Sequence, residues 1–542
     1  MSLNARTADA ERKAGKAMLN GRHIELNQDF LTAFNTIENT DQNVFITGKA
    51  GTGKSTFLEY LRANTAKSIV VLAPTGVAAL NVHGQTIHSF FKFKPNITLD
   101  TVRVLPNSSR QDIYKNLDLI VIDEISMVRA DLLDCIDKFL RLNRNQNSRP
   151  FGGVQMVFIG DMYQLPPVVK YNERKLFSSM YKSPYFFDAK SFEALQMRFI
   201  ELQKNYRQSD AKFIAVLNAI RSNSINEQHL DMINKRFDPD FTPPEGSRYV
   251  TLATTNSIAD RINLKELEKL KSPKYVYTAE VKGDIEDNSF PNDKELILKL
   301  GTQVMLLNND PDGRWVNGSI GIVKEIIKGA RADAIIIELA DGGVVNVLPF
   351  TWDVFRFSFD KKEMKIKSEQ VGSFTQYPIM LAWAITIHKS QGKTFDKVII
   401  DIGKGTFVAG QLYVALSRCT TMEGIVLRSR IEERHVFKNW RVVKFMTQYQ
   451  YRQSDAELSL DDKVSLLVSA MRRKAYVSIT YLKSNDEKSS RSILPMFVGR
   501  MEYKGKEYLG VKALDSKSGG ERNFSIEKIL SISKDQGSKS SL

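Results

Sequence analysis

The feature that most constrains this chain is a glycine-rich loop between an apolar run and a helical run. The segment GKAGTGKS, residues 48–55, follows NVFIT and precedes TFLEYLRAN, and it matches the pattern G-x-x-x-x-G-K-S/T. Glycines in such a loop turn backbone amides onto phosphate oxygens, and the N-terminus of the following helix adds its dipole. Lys54 is expected on the β and γ phosphates and Ser55 on magnesium. The residues predicted to contact the nucleotide here are Gly48, Lys49, Ala50, Gly51, Thr52, Gly53, Lys54, Ser55 and Thr56.

Two further strand ends supply candidate catalytic groups. The run LDLIVIDEIS ends in Asp123 and Glu124. Asp123 would hold magnesium through water, and Glu124 would orient or deprotonate the attacking water. The run VQMVFIGDMYQLPPV ends another strand and offers Gln164 as an amide that senses the γ-phosphate. A GTPase would carry an N-K-x-D segment, and residues 234–237 lack its aspartate. ATP and Mg²⁺ are therefore the expected cofactors, with Ser55 and Asp123 as metal ligands.

Short apolar runs alternate with helical periodicity from about residue 24 to 207, which is typical of a parallel sheet covered by helices. The runs predicted as strands there are Asn43 to Thr47, Ser68 to Ala73, Leu117 to Asp123 and Val154 to Gly160. A second α/β set is predicted from Tyr249 to Thr254, Lys397 to Asp401 and Gly424 to Leu427. Within it, residues 301–376 alternate as β-strands, with a hairpin signal at Asp341-Gly342-Gly343. At 542 residues, the chain should divide into several domains.

The charge balance favours a polyanionic partner. Lysine plus arginine number 77 against 62 aspartates and glutamates, which gives a formal charge of +15 and a pI near 9.4. No segment approaches 18 consecutive apolar residues. Cys135 and Cys419 make neither a disulfide framework nor a zinc site, which fits a reducing compartment. We expect a cytoplasmic, bacterial nucleoid-associated protein that binds nucleic acid and not a membrane.

Seven motifs follow one another between residues 24 and 430: GKAGTGKST, APTGVAALNVHGQTIHSFF, DEIS, GDMYQLPPV, NYRQ, TIHKSQGKTFD and YVALSRCT. Together they resemble the petite-integration-frequency (Pif) helicases, relatives of the RecD type within superfamily one, group B. The resemblance implies an α/β fold of two tandem RecA-like P-loop NTPase domains, residues 24–210 and 211–435, after a polar extension at 1–23. It also implies a small pin inserted at about 92–110, a Src-homology-three-like β-barrel inserted at about 301–376, and 5′ to 3′ translocation on single-stranded DNA.

Residues outside the glycine-rich loop gain roles from this resemblance. Arg207 in NYRQ and Arg418 in ALSRCT resemble the arginines that reach the γ-phosphate from the far side of the cleft. A guanidinium there stabilises the charge on the transferring phosphoryl oxygens. Gln28 resembles the family's adenine-reading glutamine. Gln391 and Gly392 in HKSQGKT lie where the family couples nucleotide state to DNA, so either ligand could contact them.

The same resemblance implies a DNA path on both domains. The segment Pro74-Thr75-Gly76 ends a strand beside the cleft, and its backbone and hydroxyl could hold a DNA phosphate. The remaining candidates are His83, Thr86, His88 and Phe90 on the first domain and His388, Lys389 and Thr394 on the second. Bases stack on aromatic rings whatever their sequence, but Phe90 and Phe91 would serve equally well as core aromatics. The wedge residue of the pin is left unassigned.

Beyond the motifs, the sequence predicts a separate β-rich module. Residues 436–461 are expected to form a linker, 462–533 alternate as short strands, and 534–542 are expected to be disordered. The module resembles a WYL domain, with Tyr508-Leu509 preceded by Glu507 where the domain's name expects tryptophan. Its cluster of Arg491, Arg500 and Arg522 could bind nucleic acid or a regulatory ligand, or could be the solvated surface of an assembly domain.

Three functions are open at this stage. The leading prediction is an ATP-dependent DNA helicase, acting as a monomer on single-stranded and forked or structured DNA, with RNA–DNA hybrids as a further candidate substrate. The second is a nucleic-acid-binding regulator with a vestigial motor, and the intact Lys54, Asp123, Glu124 and Arg418 speak against it. The third is a translocase that displaces proteins or RNA without efficient duplex unwinding.

Overall fold

The computed structural model describes residues 15–19, 22–94, 97–105, 109–169, 173–208, 210–244, 246–283, 290, 292–330, 332–360, 365–403, 405–406, 408–436 and 439–534. The chain divides into two compact units, residues 1–220 with 225–437 and residues 221–224 with 438–542. Within the described ranges, none of the helices combines the length and the apolar character needed to cross a bilayer. The predicted disordered tail lies outside the described residues, apart from Lys534.

The first unit begins with an α/β domain. Its elements are β1 (Gly15–Leu19), β2 (Arg22–Leu26), α1 (Gln28–Asn39), β3 (Asn43–Gly48), α2 (Lys54–Asn64), β4 (Ile69–Ala73), α3 (Gly76–Asn81), β5 (Gln85–Thr86), α4 (Ile87–Phe91), α5 (Ser109–Lys115), β6 (Leu119–Ile122), α6 (Ala130–Asn143), β7 (Gln155–Ile159), α7 (Arg174–Met180), α8 (Lys190–Glu193) and β8 (Met197–Leu202). A parallel sheet has the strand order β5-β4-β6-β7-β3-β8. The predicted strands β3, β4, β6 and β7 are confirmed, and their nearly continuous burial is typical of parallel strands covered on both faces.

The prediction of a polar extension over residues 1–23 is wrong from Gly15 onward. Strands β1 and β2 pair antiparallel, and Leu19 and Leu26 are each 6% exposed in the core that contains Phe30. The ribbon was hidden because its few apolar residues are spaced among lysine, arginine and histidine. Residues 1–14 lie outside the described residues.

The second α/β domain carries an inserted β region. Its elements are α9 (Ala211–Ser222), α10 (Glu227–Asn234), β9 (Val250–Ala253), α11 (Asn256–Lys269), β10 (Tyr275–Thr278), β11 (Glu280–Gly283), β12 (Glu295–Leu298), β13 (Gln303–Leu306), β14 (Ile320–Ile327), β15 (Ala334–Leu339), β16 (Val344–Val347), β17 (Phe350–Asp360), β18 (Lys365–Gln376), β19 (Ile379–Leu381), β20 (Ala384–Thr386), β21 (Val398–Asp401), α12 (Gln411–Leu416) and β22 (Ile425–Leu427). Strands β20-β9-β21-β22 form a second parallel sheet, which confirms the predicted strands of this domain.

The inserted region is larger than the predicted 301–376. Its strands form three antiparallel sheets, with the orders β10-β12, β11-β18-β17 and β16-β15-β14-β13-β19. The region therefore extends from Tyr275 to Leu381. Strand β11 pairs with β18 and β13 with β19, partners about 75 or more residues away along the chain. Local alternation could not reveal the outer strands because the partners that complete their sheets are distant in sequence.

The second unit contains α13 (Trp440–Glu457), α14 (Leu460–Arg472), β23 (Val477–Leu482), β24 (Lys488–Tyr503), β25 (Lys506–Asp515), β26 (Gly520–Ser525) and β27 (Ile529–Lys534). The strands form an antiparallel sheet in the order β26-β25-β24-β23-β27. Its core includes Leu467 of α14 together with Ile479, Ile493 and Val511 of the sheet.

The predicted linker at 436–461 is wrong, because most of it is helix α13. Ser454 Oγ donates to the carbonyl oxygen of Leu530 at 2.7 Å, and the Tyr451 hydroxyl donates to that of Leu482 at 3.0 Å. The fully buried Lys463 of α14 pairs with Asp455 at 2.6 Å. The helix packs on the sheet partly through polar side chains, so its sequence looked like a solvated connection.

Candidate active site

The glycine-rich loop joins β3 to α2 at the carboxyl edge of the first sheet, where β3 lies between β7 and β8 and β6 is the next strand beyond β7. Gly51 and Gly53 have φ of 83° and 84°, a left-handed conformation that glycine adopts readily. A Cβ at Gly51 would lie 2.5 Å from Arg207 Cβ and 2.8 Å from Asn205 Oδ1, too close for any side chain. Helix α2 begins at Lys54, so its unpaired first amides are at the loop. The loop has the backbone geometry of an anion cradle.

The Lys54 ammonium lies against the loop itself. Its Nζ donates to the carbonyl oxygens of Gly48 at 2.7 Å and Lys49 at 3.0 Å. The Thr52 hydroxyl also donates to Lys49 O, at 2.9 Å. Ser55 is exposed in the first turn of α2. Because these contacts are neutral carbonyls, a phosphate oxygen would be a stronger acceptor for the same ammonium.

Asp123 and Glu124 follow β6 directly, and Glu124 has a φ of 49°. The Glu124 amide donates to the Asp123 carboxylate. Burial raises the pKa of Asp123, and burial together with the charge of Asp123 raises the pKa of Glu124. The charge of Lys54 acts against both increases in pKa, and Arg418 acts against that of Glu124. Two carboxylates held in this way suit a metal ligand and a general base.

Gln391 connects the two domains at the predicted base. Its Nε2 donates to Gln164 Oε1 at 3.1 Å and lies 3.3 Å from Glu124 Oε2. Gln164 is 6% exposed, and its backbone N–H donates to Asp161 O at 3.0 Å. Helix α12 begins against the same turn, since a Cβ at Gly410 would collide with the Gln164 carbonyl. The structure thus brings Gln164, Gln391 and Glu124 together across the interface.

Arg418 is buried and held by oxygen acceptors of its own domain. Its Nε donates to Val414 O at 3.0 Å and its Nη2 to Ser417 Oγ at 2.9 Å. Its Nη1 donates to the carbonyls of Lys393 at 3.3 Å and Ser390 at 3.5 Å. Burial, together with the nearby charge of a second arginine, lowers the pKa of Arg418 to about 9. The guanidinium therefore remains charged at pH 7, and a desolvated cation attracts an incoming phosphate strongly.

Arg207 reaches the same segment from the first domain. Its Nη1 donates to Ser417 O at 3.2 Å, and Gln208 Nε2 donates to that oxygen at 3.2 Å and to Cys419 O at 3.2 Å. Burial lowers the pKa of Arg207. The two arginines predicted from NYRQ and ALSRCT are therefore neighbours in space. The prediction that both lie on the far side of the cleft is wrong for Arg207, which packs against Gly51 of the glycine-rich loop in the first domain.

The site also contains two tyrosines that were not predicted from the sequence. The buried Tyr413 hydroxyl accepts a hydrogen bond from the Ala50 amide of the glycine-rich loop at 3.0 Å. Tyr206 is 47% exposed in the cleft, and its hydroxyl accepts from Asn27 Nδ2 at 3.1 Å. Tyr206 directly precedes Arg207, and Tyr413 begins the motif YVALSRCT that contains Arg418, so membership of these motifs was the signal available in the sequence.

A cleft of about 510 Å³ runs between the two domains, a volume that suits a small-molecule ligand. It is lined by Ala50, Gly51, Thr52, Gly53, Lys54, Ser55, Thr56, Glu124, Gln164, Tyr206, Arg207, Gly392, Thr394 and Arg418. Thr394, which was predicted on the DNA path, is among the residues that line this cleft. Gln28 is exposed at the start of α1, where the neighbouring Asn27 caps the helix and reaches Tyr206.

Three DNA candidates of the first domain, Pro74, Thr75 and His83, lie outside its helices and strands. Pro74 and Gly76 are half-buried around the exposed Thr75, whose Oγ1 accepts from the Ala78 amide at 3.3 Å. His83 is exposed with a φ of 48°, and Arg62 of α2 donates to its carbonyl at 2.9 Å. This arginine connects the helix that follows the glycine-rich loop to the turn.

The remaining DNA candidates differ in exposure. Thr86 caps α4 by accepting from the Ser89 amide at 3.1 Å, and His88 is half-buried in that helix. On the second domain, Lys389 is exposed, and His388 is half-buried, which lowers its pKa. Phe90 is wrong as a stacking candidate: it is 4% exposed and meets Tyr114 edge-on at 5.3 Å, so it is a core aromatic.

Comparisons with known proteins agree with this geometry. Residues 25–231 match the model for the PIF1-like helicase family, and residues 381–422 match that for the UvrD-like helicase C-terminal domain. ATP-dependent DNA helicase RRM3 of Saccharomyces cerevisiae is 30% identical over 72% of this chain, which spans 63% of that relative's length. ATP-dependent DNA helicase Pif1 of Campylobacter jejuni is 32% identical over 70% of this chain and 87% of its own.

Solved structures of Pif1 from Bacteroides sp. are also similar. The complex with ADP-AlF4 is 36% identical and superposes with a TM-score of 0.73 over 79% of this chain and 98% of that chain. The complex with single-stranded DNA is 37% identical over the same shares, with a TM-score of 0.59. The unliganded structure of the same relative has a TM-score of 0.72, so the present chain is more similar to the DNA-free structures than to the DNA complex. The likeness shows an α/β fold with RecA-like domains.

Proposed function

Because this chain belongs to the Pif1-like helicase family, we propose that it is an ATP-dependent DNA helicase that moves 5′ to 3′ on single-stranded DNA and unwinds duplex. The observation that carries the proposal is the two-sided cleft. The glycine-rich loop, Glu124 and Arg207 belong to the first domain and Arg418 to the second, and the two arginines meet at Ser417. A site assembled from two domains can convert nucleotide state into domain movement.

In the proposed hydrolysis step, Glu124 orients and deprotonates the attacking water, and Gln164 holds that water toward the γ-phosphate. Arg207 and Arg418 stabilise charge on the transferring phosphoryl oxygens. The Ser55 hydroxyl and Asp123 carboxylate are hard oxygen donors that fit Mg²⁺, and that cation would supply charge neutralisation on the phosphates. A cation would also offset the burial that raises the pKa of Asp123.

We assign movement to alternating grips on DNA. Thr75 and His83 would hold the strand on the first domain, and His388 and Lys389 on the second. The contact of Arg62 with the His83 carbonyl ties the first grip to helix α2, which begins at Lys54. Closure of the cleft around nucleotide would therefore change the positions of the DNA-binding residues on both domains. Single-stranded DNA bound to the Bacteroides relative supports this choice of substrate.

We assign strand separation to Val104 in the predicted pin. Its side chain is 54% exposed, whereas Val102 is buried. The buried Asn143 grips both flanking peptide groups: its Oδ1 accepts from the Leu105 amide at 2.8 Å and its Nδ2 donates to Arg103 O at 3.3 Å. An apolar side chain held outward by a fixed backbone suits a wedge against a base pair. Residues 95–96 and 106–108 of the pin lie outside the described residues.

The Val104 assignment predicts a separation of two activities. Val104→Asp should slow duplex unwinding several-fold and leave ATP hydrolysis on single-stranded DNA within twofold of wild type. Val344→Asp, at another exposed valine (66% exposed) in β16, serves as the control and should change neither rate. Equal unwinding by Val104→Asp and wild type would remove the assignment.

We further propose that the β16-β15-β14-β13-β19 sheet is a Src-homology-three-like barrel and that the second unit is a WYL-like module. The module's basic cluster is smaller than the sequence suggested. Asp515 is fully buried and pairs with Arg491 at 2.9 Å and with Arg522 at 3.4 Å, so a single carboxylate offsets part of the charge of the two arginines. Comparing DNA affinity of the full chain with a chain ending at residue 437 tests whether the module contributes to binding. A cytoplasmic monomer is part of the same proposal.

The experiment that tests the motor is steady-state ATP hydrolysis with and without single-stranded DNA. A helicase or translocase should be stimulated by DNA, and Lys54→Ala should abolish the stimulated rate. Absence of stimulation, with DNA binding intact, would favour the regulator with a vestigial motor. Binding should also weaken steeply with salt, because lysines and arginines release counterions from DNA phosphates.

A further inference from the structure

Lys393 is a buried lysine between the nucleotide cleft and the inserted β region. It is 8% exposed, and burial lowers its pKa to about 8. Its neighbours in sequence, Gly392 and Thr394, line the cleft. Its ammonium donates to Asn317 Oδ1 at 2.5 Å, in the loop between β13 and β14. A buried ammonium strongly requires such an acceptor, since burying a charge without one is costly.

The loop that carries Asn317 is braced by its own side chains. The backbone N–H of Asn317 donates to Asn309 Oδ1 at 2.8 Å, and the Trp315 indole donates to Asn308 Oδ1 at 3.1 Å. Asp310 forms a bidentate pair with Arg314, both bonds at 2.7 Å. Such bonding fixes the loop from within, so the Asn317 side chain is presented at a defined position.

The backbone of the loop also packs on the lysine stem. Gly318 has a φ of 103°, and a Cβ built on it would lie 3.5 Å from Lys393 Cβ and 3.7 Å from its Cγ, an ordinary packing distance. The Gly318 amide donates to Leu306 O in β13 at 2.8 Å. The loop therefore contacts Lys393 along the stem as well as at the ammonium.

The other end of Lys393 reaches the catalytic arginine. The Lys393 carbonyl accepts from Arg418 Nη1 at 3.3 Å, and the Lys393 amide donates to Ser390 O at 3.0 Å, the second carbonyl near the same guanidinium. Any shift of the 390–393 turn therefore moves two acceptors of Arg418. Lys393 is the residue through which the loop can set that turn.

We propose that Lys393 is a positioning residue, held by Asn317 of the inserted β region, that fixes the place of the Arg418 guanidinium for phosphoryl transfer. The inserted region would thereby affect the rate of hydrolysis through the position of Arg418. This inference rests on the proposed role of Arg418 in the ATPase. A misplacement of a catalytic group by about 1 Å can cost on the order of 10²-fold in rate, so a small change at Asn317 is measurable.

The test compares variants at residue 317 in the full-length protein by steady-state ATP hydrolysis at saturating single-stranded DNA. Asn317→Ala removes the acceptor and should lower kcat about fivefold or more, a usual lower bound for coupled sites, with KM for ATP within twofold. Asn317→Asp offers a charged acceptor and should return kcat to within twofold of wild type. Asn346→Ala, at an exposed asparagine of β16, is the matched control and should have no effect. Asn317→Ser supplies a second truncation, and thermal unfolding identifies any variant that fails to fold.

The outcomes separate this inference from the proposed function. A kcat for Asn317→Ala within twofold of wild type, with Arg418→Ala inactive, would overturn the positioning role alone. Equal losses in Asn317→Ala and Asn317→Asp would overturn it as well, because the hydrogen bond to Lys393 would then not be the cause. If Arg418→Ala keeps its rate, the proposed role of Arg418 fails, whatever the Asn317 variants do.

Discussion

The two faces of the nucleotide cleft are built in different ways. On one face, a contiguous loop of nine residues, 48–56, supplies backbone amides and Lys54. On the other face, the groups arrive from segments far apart in sequence, at Arg207, at Gln391 to Thr394 and at Tyr413 to Arg418. The first face presents its anion-binding groups within one continuous segment. The second combines groups from both domains, and in the proposed mechanism hydrolysis depends on it as well as on Glu124.

The largest effect is expected on the second face. Arg418→Ala should lower kcat for ATP hydrolysis by about 10³ or more, because arginine fingers are worth about 10³ to 10⁵ in rate in other phosphoryl-transfer enzymes. Nucleotide affinity, measured by fluorescence titration, should change little. Arg418→Lys keeps the charge but lacks the planar fork, and it should recover only a small part. A kcat for Arg418→Ala within tenfold of wild type would break the distinction between the two faces.

A comparable but smaller loss is expected at Glu124, which follows β6 in the same domain as the loop. Glu124→Gln should lower kcat by about 10² to 10⁴, the usual contribution of a positioned general base. The amide preserves the shape of the side chain, so ATP binding should be retained. Single-turnover hydrolysis measures this step directly. A rate close to wild type would move the role of base to another group.

A moderate effect is expected where the two faces touch. Tyr413→Phe removes the hydroxyl that accepts from the Ala50 amide, and a buried donor left without an acceptor costs about 1 to 3 kcal/mol. Because Ala50 belongs to the glycine-rich loop, this cost should weaken ATP binding, and the KM for ATP should rise about tenfold. Tyr206→Phe keeps the exposed ring and should have less effect. Equal KM values for Tyr413→Phe and wild type would show that the first face needs no support from the second.

The smallest effect is on pH dependence. Burial and the charge of Asp123 raise the pKa of Glu124, so the carboxylate destabilises the fold above its unfolded pKa, and this penalty disappears as pH falls through the raised value. Glu124→Gln should therefore raise the unfolding temperature at pH 8 more than at pH 5. The acid limb of kcat/KM in wild type should lie above the ordinary range of glutamate. A limb at or below that range would contradict the burial of the base.

The local parts of this account could be read from the sequence, and the long-range parts could not. The sequence predicts β3, the glycine-rich loop and the Asp123-Glu124 pair, because each is encoded in one short contiguous segment. The contact of Tyr413 with Ala50 and that of Lys393 with Asn317 join residues separated by 363 and 76 positions. Neither pairing leaves a local pattern.

The errors have the same origin. Phe90 could equally stack a base or fill the core, and only its packing against Tyr114 decides between them. Helix α13 looked like a linker because part of its buried face is polar, with Ser454 and Tyr451 satisfied by strands far along the chain. Burial of polar groups depends on partners, and the partners are known only from the fold.

The most direct measurement is ATP-driven unwinding of two forks that differ only in which strand carries a single-stranded tail. The account predicts rapid unwinding of the fork with the 5′ tail, little unwinding of the fork with only a 3′ tail, and none of either by Lys54→Ala. Preference for the 3′ tail, or unwinding that survives Lys54→Ala, would contradict it.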